Sequence, residues 1–199
     1  MIQTFVRNGK GFFTLKEDNM QHYKRIKREL QYKGKIIEVY KDSMEVSNGN
    51  ITQWDMVHHK GAAAIIPVME DGRIIMVRQY RGSVDREILE IPAGGLDHEG
   101  ESGLACATRE LEEETGYCSK DVKHLITIYT TVGFCDEKIE IFVANNLIES
   151  KQNLDENEFV SLEYYTVDEL KEKIFEGEIE DSKTISAILA YDSRCKTFF

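Results

Sequence analysis

The chain has few cysteines and no long apolar run, and each shortage excludes a class of protein. Four cysteines in 199 residues are too few to staple a fold of this size, and they are not spaced as pairs of metal ligands. We therefore expect free thiols in a reducing compartment. Residues 1–20 contain no apolar stretch that could serve as a signal peptide or cross a bilayer, so we expect a cytoplasmic location.

Positive charge is also scarce, because 25 Lys and Arg residues face 36 Asp and Glu residues, for a net charge of −11. This balance argues against a nucleic-acid backbone or an anionic membrane as the main partner. If the substrate is a phosphate ester, its charge must be offset locally by a metal ion and by arginines. The length and the 41% hydrophobic content fit a single globular domain with an elaborated end.

Negative charge is most concentrated between Gly95 and Tyr117, in the stretch GLDHEGESGLACATRELEEETGY. Ser102 is a good N-cap ahead of residues with an apolar helical period, and Gly116 stands where a left-handed C-terminal cap is usual. The pattern predicts a helix over residues 103–115.

Three glutamates of this helix, Glu110, Glu113 and Glu114, lie at spacings of three and four residues and share one stripe. Like charges at those spacings repel by about 0.2–0.5 kcal/mol per pair, and the helix has no lysine to offset them. One interpretation is a divalent cation, because clustered carboxylates are hard oxygen ligands that suit Mg²⁺. The other is a solvated acidic face, which is what most glutamate runs form.

Most of the remaining chain predicts strands. Residues 47–50 (SNGN) predict a hairpin turn in an N-terminal antiparallel sheet, and Asp71-Gly72 predicts that the strands on either side form a second hairpin. Residues 93–95 are expected to form a loop. Apolar runs or period-two alternation mark the strands at residues 36–40, 44–46, 51–54, 62–68, 74–80, 87–92, 125–129, 139–144 and 159–164.

The end of the chain predicts two more helices. Thr166 and Glu169 form a capping box for a helix that runs to about residue 175, and a final helix is expected over residues 182–191. The connection at 146–158 is too acidic to be core.

The acidic stretch resembles the Nudix box, in which a glycine, a glutamate and a final Arg-Glu-aliphatic-x-Glu-Glu-x-Gly motif recur at fixed spacing. The matching residues are Gly95, Glu101, Arg109, Glu110, Leu111, Glu113, Glu114 and Gly116, with Tyr117 in place of the usual aliphatic residue. The resemblance implies an α/β fold, the Nudix α/β/α sandwich with a mixed sheet. It also implies that residues 1–60 form an extension and a dimerisation sheet ahead of a catalytic domain at 61–199.

The same resemblance implies the metal site. Glu110 and Glu114 would be the main ligands of Mg²⁺, with Mn²⁺ as the alternative metal. The Ala93 carbonyl would complete the ligand set, and Glu113 would share the metal or position water. Arg109 would orient a neighbouring glutamate by a charge-assisted hydrogen bond, although a simple surface ion pair is the other interpretation.

Residues 77–81, 87–96, 133–139 and 177–191 resemble the ADP-ribose pyrophosphatase branch of that family. Within this branch Arg81 would bind a substrate phosphate, which a planar guanidinium can grip bidentately, or it would simply be solvated at a strand end. Glu137 and Gly133 would contact substrate from the loop at 130–138.

The resemblance also places a general base in the acidic loop. Glu156 is expected to take this role ahead of Glu158, with Glu137 and Glu113 as the alternatives. A purely solvated loop would leave the role to one of those two residues.

The only tryptophan, Trp54, has two interpretations. It would cap the core, or it would stack on the adenine base. In the resembling enzymes the N-terminal strands pack across a two-fold dimer, so that each site borrows residues from the partner. The second interpretation therefore implies a homodimer with a composite site.

The expected function is hydrolysis of ADP-ribose to AMP and ribose 5-phosphate. The alternatives are hydrolysis of another nucleotide sugar such as GDP-mannose, hydrolysis of a dinucleotide, or non-catalytic sensing of ADP-ribose. Thr131-Val132-Gly133 stands where many enzymes of this branch have Ser-Pro-Gly, a marker of ADP-ribose preference, so the substrate stays open. The expected partner is a small nucleotide, and neither nucleic acid nor membrane is expected.

Overall fold

The computed structural model describes residues 5–8, 11–14, 23–154 and 159–198, with side chains described over 23–154 and 159–194. The strands, in chain order, are β1 (Phe5–Asn8), β2 (Gly11–Thr14), β3 (Tyr23–Lys33), β4 (Ile37–Val46), β5 (Ile51–His59), β6 (Ala62–Pro67), β7 (Ile74–Arg81), β8 (Arg86–Glu90), β9 (Ala93–Gly95), β10 (Tyr117–Cys118), β11 (Asp121–Tyr129), β12 (Lys138–Asn145), β13 (Ile148–Glu149) and β14 (Val160–Tyr165). The helices are α1 (Gly103–Thr115), α2 (Val167–Phe175) and α3 (Ser182–Phe198).

A four-stranded mixed sheet forms the centre of the molecule, in the order β11-β12-β6-β9. Strands β12 and β6 run parallel, while the other two pairs are antiparallel. Strand β6, with the sequence AAAIIP, is buried on both faces and paired along both edges. This position explains why its sequence is continuously apolar instead of alternating.

The two faces of β6 pack against different layers. Ala63 and Ile65 form one buried cluster with Cys106, Ala107 and Leu111 of α1. The alternate residues of β6 join a larger core that includes side chains from the second sheet, α2 and α3. This larger cluster includes Ala64, Ile66, Ile74, Met76, Leu89, Ile141, Leu170, Ala187 and Ile188. Helices on both sides of the mixed sheet confirm the predicted α/β/α sandwich.

A second, antiparallel sheet contains β14, β7 and β8. The predicted hairpin between residues 62–68 and 74–80 is therefore wrong. The turn is present, with Gly72 at a φ of 84°, but a single bridge joins Val68 to Ile74 before the strands diverge. The reason is that both edges of β6 are taken by β12 and β9, so β7 pairs elsewhere.

The N-terminal sheet contains β3, β4 and β5 in that order. The predicted hairpin at 47–50 is confirmed, and Gly49 has a φ of 82°. Strand β3 was not predicted, because register shifts between Arg25 and Lys27 and between Leu30 and Tyr32 break the period of two on which a strand prediction depends.

The helix boundaries follow local signals. Ser102 has an extended backbone and its side chain accepts a hydrogen bond from the Ala105 N–H, while Gly116 ends α1 in the left-handed conformation with a φ of 72°. The capping box of Thr166 and Glu169 is present at the start of α2. The predicted limits of α1 are confirmed at both ends.

Two predicted segments differ from the structure. Residues 93–95 form the short strand β9 and not a loop, because they pair with the first residues of β6. Helix α3 continues to Phe198 instead of ending at residue 191. Its last residues, DSRCKTF, have no apolar helical period, so the sequence pattern predicted a helix that ends too early.

The cysteine prediction is confirmed for the side chains that the structure describes, since Cys106, Cys118 and Cys135 are free thiols. In the same part of the chain, no helix combines the length and the apolar character needed to cross a bilayer.

Candidate active site

A cavity of about 730 Å³ opens at the end of the mixed sheet where β6 and β12 begin. Its lining comes from these strand ends, β8, β9, the end of β7, the turn between β3 and β4, the loop at 130–138 and the first turn of α3. Three of the predicted site residues, Arg81, Ala93 and Glu137, line this cavity, and so do Glu90 and Lys183, which were not predicted.

The two predicted metal-binding glutamates of α1 are buried against the backbone of β9. The Ala93 N–H donates a 3.1 Å hydrogen bond to Glu114 Oε2, and Glu114 is 1% exposed. At Gly94 a Cβ atom would lie 1.8 Å from Glu110 Oε1, so only glycine lets this carboxylate approach so closely. Both carboxylates therefore meet one backbone segment, which itself lines the cavity although the glutamates do not.

Arg109 joins the carboxylates of this region. Its Nε donates to Glu101 Oε1 at 3.0 Å, and its Nη1 donates to Glu110 Oε1 at 2.5 Å and to Glu113 Oε2 at 2.8 Å. Its Nη2 also donates to the Gly95 carbonyl. The positive charge that the acidic helix requires is thus partly supplied by the helix itself, which favours the orienting interpretation of Arg109 over a simple surface pair.

The charge network shifts several pKa values. Hydrogen bonds from Arg109 hold the pKa of the Glu101 carboxyl below its usual range, and the same bonds raise the pKa of the guanidinium. Burial raises the pKa of the Cys106 thiol to about 12. This thiol is completely buried, and it donates to the carbonyls of Gly94 and Gly95, so it supports β9 and is not a nucleophile.

The donor set at β9 suits a hard divalent cation. Glu110, Glu114 and the Ala93 carbonyl are oxygen donors, and Mg²⁺ typically takes one or two carboxylates and keeps several waters. Among residues 23–154 and 159–194, no group of three or more His, Cys, Asp or Glu side chains is arranged as a metal centre. The third predicted carboxylate, Glu113, lies on Arg109. A set of two carboxylates and one carbonyl fits the predicted ion.

Arg81 is held at the cavity wall by a buried carboxylate. Its Nε and Nη2 donate to the two oxygens of Glu90 at 2.7 and 2.8 Å. Glu90 is 1% exposed, whereas 38% of the Arg81 side chain is accessible. The hydrogen bonds to Glu90 raise the pKa of the Arg81 guanidinium, and the negative charge of Glu114 adds to this rise.

The loop at 130–138 contributes Glu137 to the cavity but not Gly133. Glu137 Oε2 accepts a 2.8 Å bond from Thr130 Oγ1, and its other oxygen lies 3.4 Å from Nδ1 of His59. Gly133 has open space around it and lies outside the cavity lining. The loop is fixed to β5, because the Val57 N–H donates to the Phe134 carbonyl.

Of the remaining two predicted residues, Trp54 does not line the cavity and Glu156 is not among the described residues. Trp54 is 44% exposed on β5, and its ring packs against Tyr23 with centroids 5.3 Å apart. Trp54 also lies outside both buried clusters. Glu156, the predicted general base, and its alternative Glu158 lie outside the described residues.

The sequence matches the model of the NUDIX domain over residues 58–187. The chain belongs to the Nudix family. It is 41% identical to the ADP-ribose pyrophosphatase of Bacillus subtilis (strain 168) and 42% identical to the methanol dehydrogenase activator of Bacillus methanolicus, each match covering 83% of this chain and 90% of the relative. The crystal structure of an ADP compounds hydrolase has the same fold, with a TM-score of 0.79 and 22% identity over 88% of this chain and 95% of that one.

Nudix hydrolases generally use a divalent metal, in agreement with the oxygen donors at β9. Sequence reasoning on the Nudix box found Arg109 and its acidic neighbours because all of them lie within one local motif. It missed Glu90, His59 and Lys183, which line the same cavity. A signal existed for Glu90, since a glutamate inside the apolar run EILEIP is unexpected in a buried strand unless it is paired.

A first prediction concerns the pair of Glu101 and Arg109 in this Nudix site. Because the pKa of Glu101 is lowered in the folded protein, its contribution to stability is present at neutral pH and is lost as the pH falls through the folded pKa. Glu101→Gln should therefore lower the free energy of unfolding by about 1.5–3 kcal/mol at pH 7, and this difference should shrink below about pH 4.

Urea unfolding in EDTA at several pH values measures this difference. Glu99→Gln is the matched control, because Glu99 is exposed in the same loop. A loss of stability for Glu101→Gln that is the same at pH 7 and at pH 3 would contradict the assignment.

Proposed function

We propose that this Nudix protein hydrolyses the diphosphate of ADP-ribose to AMP and ribose 5-phosphate in the presence of Mg²⁺, with Mn²⁺ as a substitute. The observation that carries the proposal is that one cavity is lined both by Arg81, held by Glu90, and by the β9 backbone against which Glu110 and Glu114 are buried. The first group binds phosphate and the second holds a cation. The 41% identity to an ADP-ribose pyrophosphatase supports the choice of substrate.

In this mechanism Glu110, Glu114 and the Ala93 carbonyl hold the metal. When bound, a divalent metal neutralises phosphoryl charge and activates water. Arg109 keeps Glu113 and Glu110 oriented through its Nη1 contacts, so that neither carboxylate has to reorganise during the reaction.

The other residues serve the substrate and the proton transfer. Arg81 binds one phosphate of the diphosphate, and Glu137 contacts the substrate from the loop side of the cavity, with Gly133 earlier in the same loop. Glu156 removes the proton from the attacking water, and Glu158, Glu137 or Glu113 are the alternatives.

Product analysis tests this reaction. The purified protein is incubated with ADP-ribose and Mg²⁺, and the products are separated by ion-exchange chromatography, with EDTA as the control. We expect equal amounts of AMP and ribose 5-phosphate and no turnover in EDTA. Release of inorganic phosphate, or intact ADP-ribose after prolonged incubation with Mg²⁺, would exclude the proposed reaction.

A second candidate substrate is GDP-mannose or a related nucleotide sugar. The observation in its favour is Thr131-Val132-Gly133, which lacks the proline that marks ADP-ribose preference in the resembling branch. Thr131 lines the cavity, so a change in this segment bears directly on substrate choice. A purely sensing role is disfavoured because every carboxylate of the Nudix box is present.

We also propose that the protein is a homodimer in which the N-terminal sheet of one protomer completes the site of the other. The support is the exposed apolar surface of this sheet, to which both β3 and β5 contribute. In a single chain Trp54 lies outside the cavity, so it reaches a base only from a partner. The exposed apolar residues of the sheet are Tyr23, Ile26, Leu30, Tyr32, Ile51 and Trp54.

Trp54→Ala should raise KM for ADP-ribose about tenfold while changing kcat less. The reason is that stacking on a base contributes about 1–3 kcal/mol to binding in the ground state and in the transition state alike. Phe175→Ala is the control, because Phe175 is a highly exposed aromatic residue at the end of α2. Steady-state kinetics measures KM and kcat, and light scattering measures whether the protein is a dimer. A fully active monomer, or an unaltered KM with a lower melting temperature, would return Trp54 to a structural role.

A further inference from the structure

The first turn of α3 contains a lysine in an unfavourable place. Lys183 is 8% exposed, and it is the second residue of the helix, where the partial positive charge of the helix dipole disfavours a cation. Lysines are almost never this buried without ionic partners. Lys183 is therefore unfavourable both in its burial and in its position at the start of a helix, and residues that conflict with local preferences in this way often have a functional role.

The partners of Lys183 connect it to the cavity. Its ammonium donates to Glu90 Oε2 and, at 3.0 Å, to Asp181 Oδ2. Glu90 is the carboxylate that also receives Arg81. Two cations from distant parts of the chain therefore share one buried carboxylate, with Lys183 and Glu90 separated by 93 positions.

The shared carboxylate determines which edge of Arg81 is available. Within the described part of the chain, Arg81 donates through Nε and Nη2, and both bonds go to Glu90. The adjacent edge of the guanidinium, formed by Nη1 and the second N–H of Nη2, takes part in neither bond and is available to a ligand in the cavity. Because Glu90 holds the planar guanidinium along one edge, the Arg81 side chain is already ordered before a phosphate binds to its remaining N–H groups.

The same turn of α3 is fastened to the chain next to β9. Thr184 Oγ1 accepts a 3.0 Å bond from the Ile91 N–H and donates to Asp181 Oδ2 at 2.6 Å. Thr184 is completely buried. These bonds fix the start of α3 relative to Glu90 and to the segment that leads to Ala93. The backbone of Lys183 is therefore held in place beside Glu90.

We propose that Lys183 is a positioning residue for the diphosphate of the substrate, because it fixes Glu90 and through Glu90 presents the free edge of Arg81 to the cavity. This inference rests on the proposed function, in which Arg81 binds phosphate. Lys183 acts on the substrate only through the other two side chains.

A mutant cycle separates this role from a general contribution to stability. Lys183→Met should lower kcat/KM about tenfold, mainly through KM, and Arg81→Ala should lower it about a hundredfold. If Lys183 acts through Arg81, then adding Lys183→Met to Arg81→Ala should cost less than about twofold more. Lys183→Arg keeps a cation beside Glu90 and should recover activity to within about threefold of the wild type.

Binding without metal gives a second measurement. Titration of ADP-ribose into the protein in EDTA, followed by calorimetry, should show about tenfold weaker binding for Lys183→Met and no further loss in the Arg81→Ala background. Lys171→Met is the matched control, because Lys171 also bridges two carboxylates, Asp168 and Asp192, but belongs to α2. This control should leave both kcat/KM and binding unchanged.

The outcomes distinguish the inference from the proposed function. If the wild type cleaves ADP-ribose but the two substitutions have independent effects, or if Lys183→Met has wild-type KM, then Lys183 is not a positioning residue. If the wild type does not cleave or bind ADP-ribose, the proposed function fails and the cycle is measured with GDP-mannose. If Lys183→Met does not fold, the charge-balanced pair Lys183→Met/Asp181→Asn replaces it in the same cycle.

Discussion

Glu114→Gln should reduce kcat with Mg²⁺ by about a thousandfold while the protein stays folded. The substitution keeps the size of the side chain and removes one carboxylate charge from a donor set that has only two carboxylates at β9. Loss of a group that stabilises charge in the transition state costs about 10²–10³ in rate, and loss of metal affinity adds to this cost.

The melting temperature of metal-free Glu114→Gln should stay close to that of the wild type or rise slightly, because the substitution removes one repulsive charge from α1. Glu112→Gln is the control, since Glu112 is exposed on the same helix and contacts Ser150. Near-wild-type turnover of Glu114→Gln at saturating Mg²⁺ would remove Glu114 from the metal site.

Gly94→Ala should reduce kcat/KM by about a hundredfold or more. A Cβ atom at this position would lie 1.8 Å from Glu110 Oε1 and 2.2 Å from Cδ of the same side chain, distances that no pair of such atoms can adopt. The carboxylate must move away from β9, and Arg109, which donates to it, must follow. Displacements of about 1 Å in a catalytic site can cost 10²-fold in rate.

Calorimetric titration with Mn²⁺ should show weaker metal binding by Gly94→Ala, together with the kinetic loss. Gly82→Ala is the control, because a Cβ atom there would meet its nearest neighbour, an atom of Tyr80, at an ordinary 4.0 Å. Wild-type kcat/KM in Gly94→Ala would mean that Glu110 does not need its position beside β9.

The sequence predicted correctly those features that depend on residues close to one another in the chain. The ends of α1 depend on Ser102 and Gly116, and the start of α2 depends on Thr166 and Glu169, within a few residues in each case. Arg109 is likewise bound to glutamates at most eight positions away. Such arrangements follow from helix geometry and can be recognised without the fold.

The parts that were wrong or missing depend on distant pairing. Strand β7 does not pair with β6 because β12, far along the chain, and β9 occupy the two edges of β6. Strand β3 was missed because its bulges interrupt the alternation. The pairing of Glu90 with Lys183 spans 93 positions, so no local pattern indicates that these two residues meet.

The proposed function requires the cavity to select ADP-ribose over other nucleotide sugars. Its most direct test is the ratio of kcat/KM for ADP-ribose to kcat/KM for GDP-mannose, measured on one preparation of the protein at saturating Mg²⁺. We predict a ratio of at least about ten, with the AMP and ribose 5-phosphate products accounting for all of the ADP-ribose consumed. A ratio below one, or the absence of cleavage with both substrates, would exclude ADP-ribose as the preferred substrate.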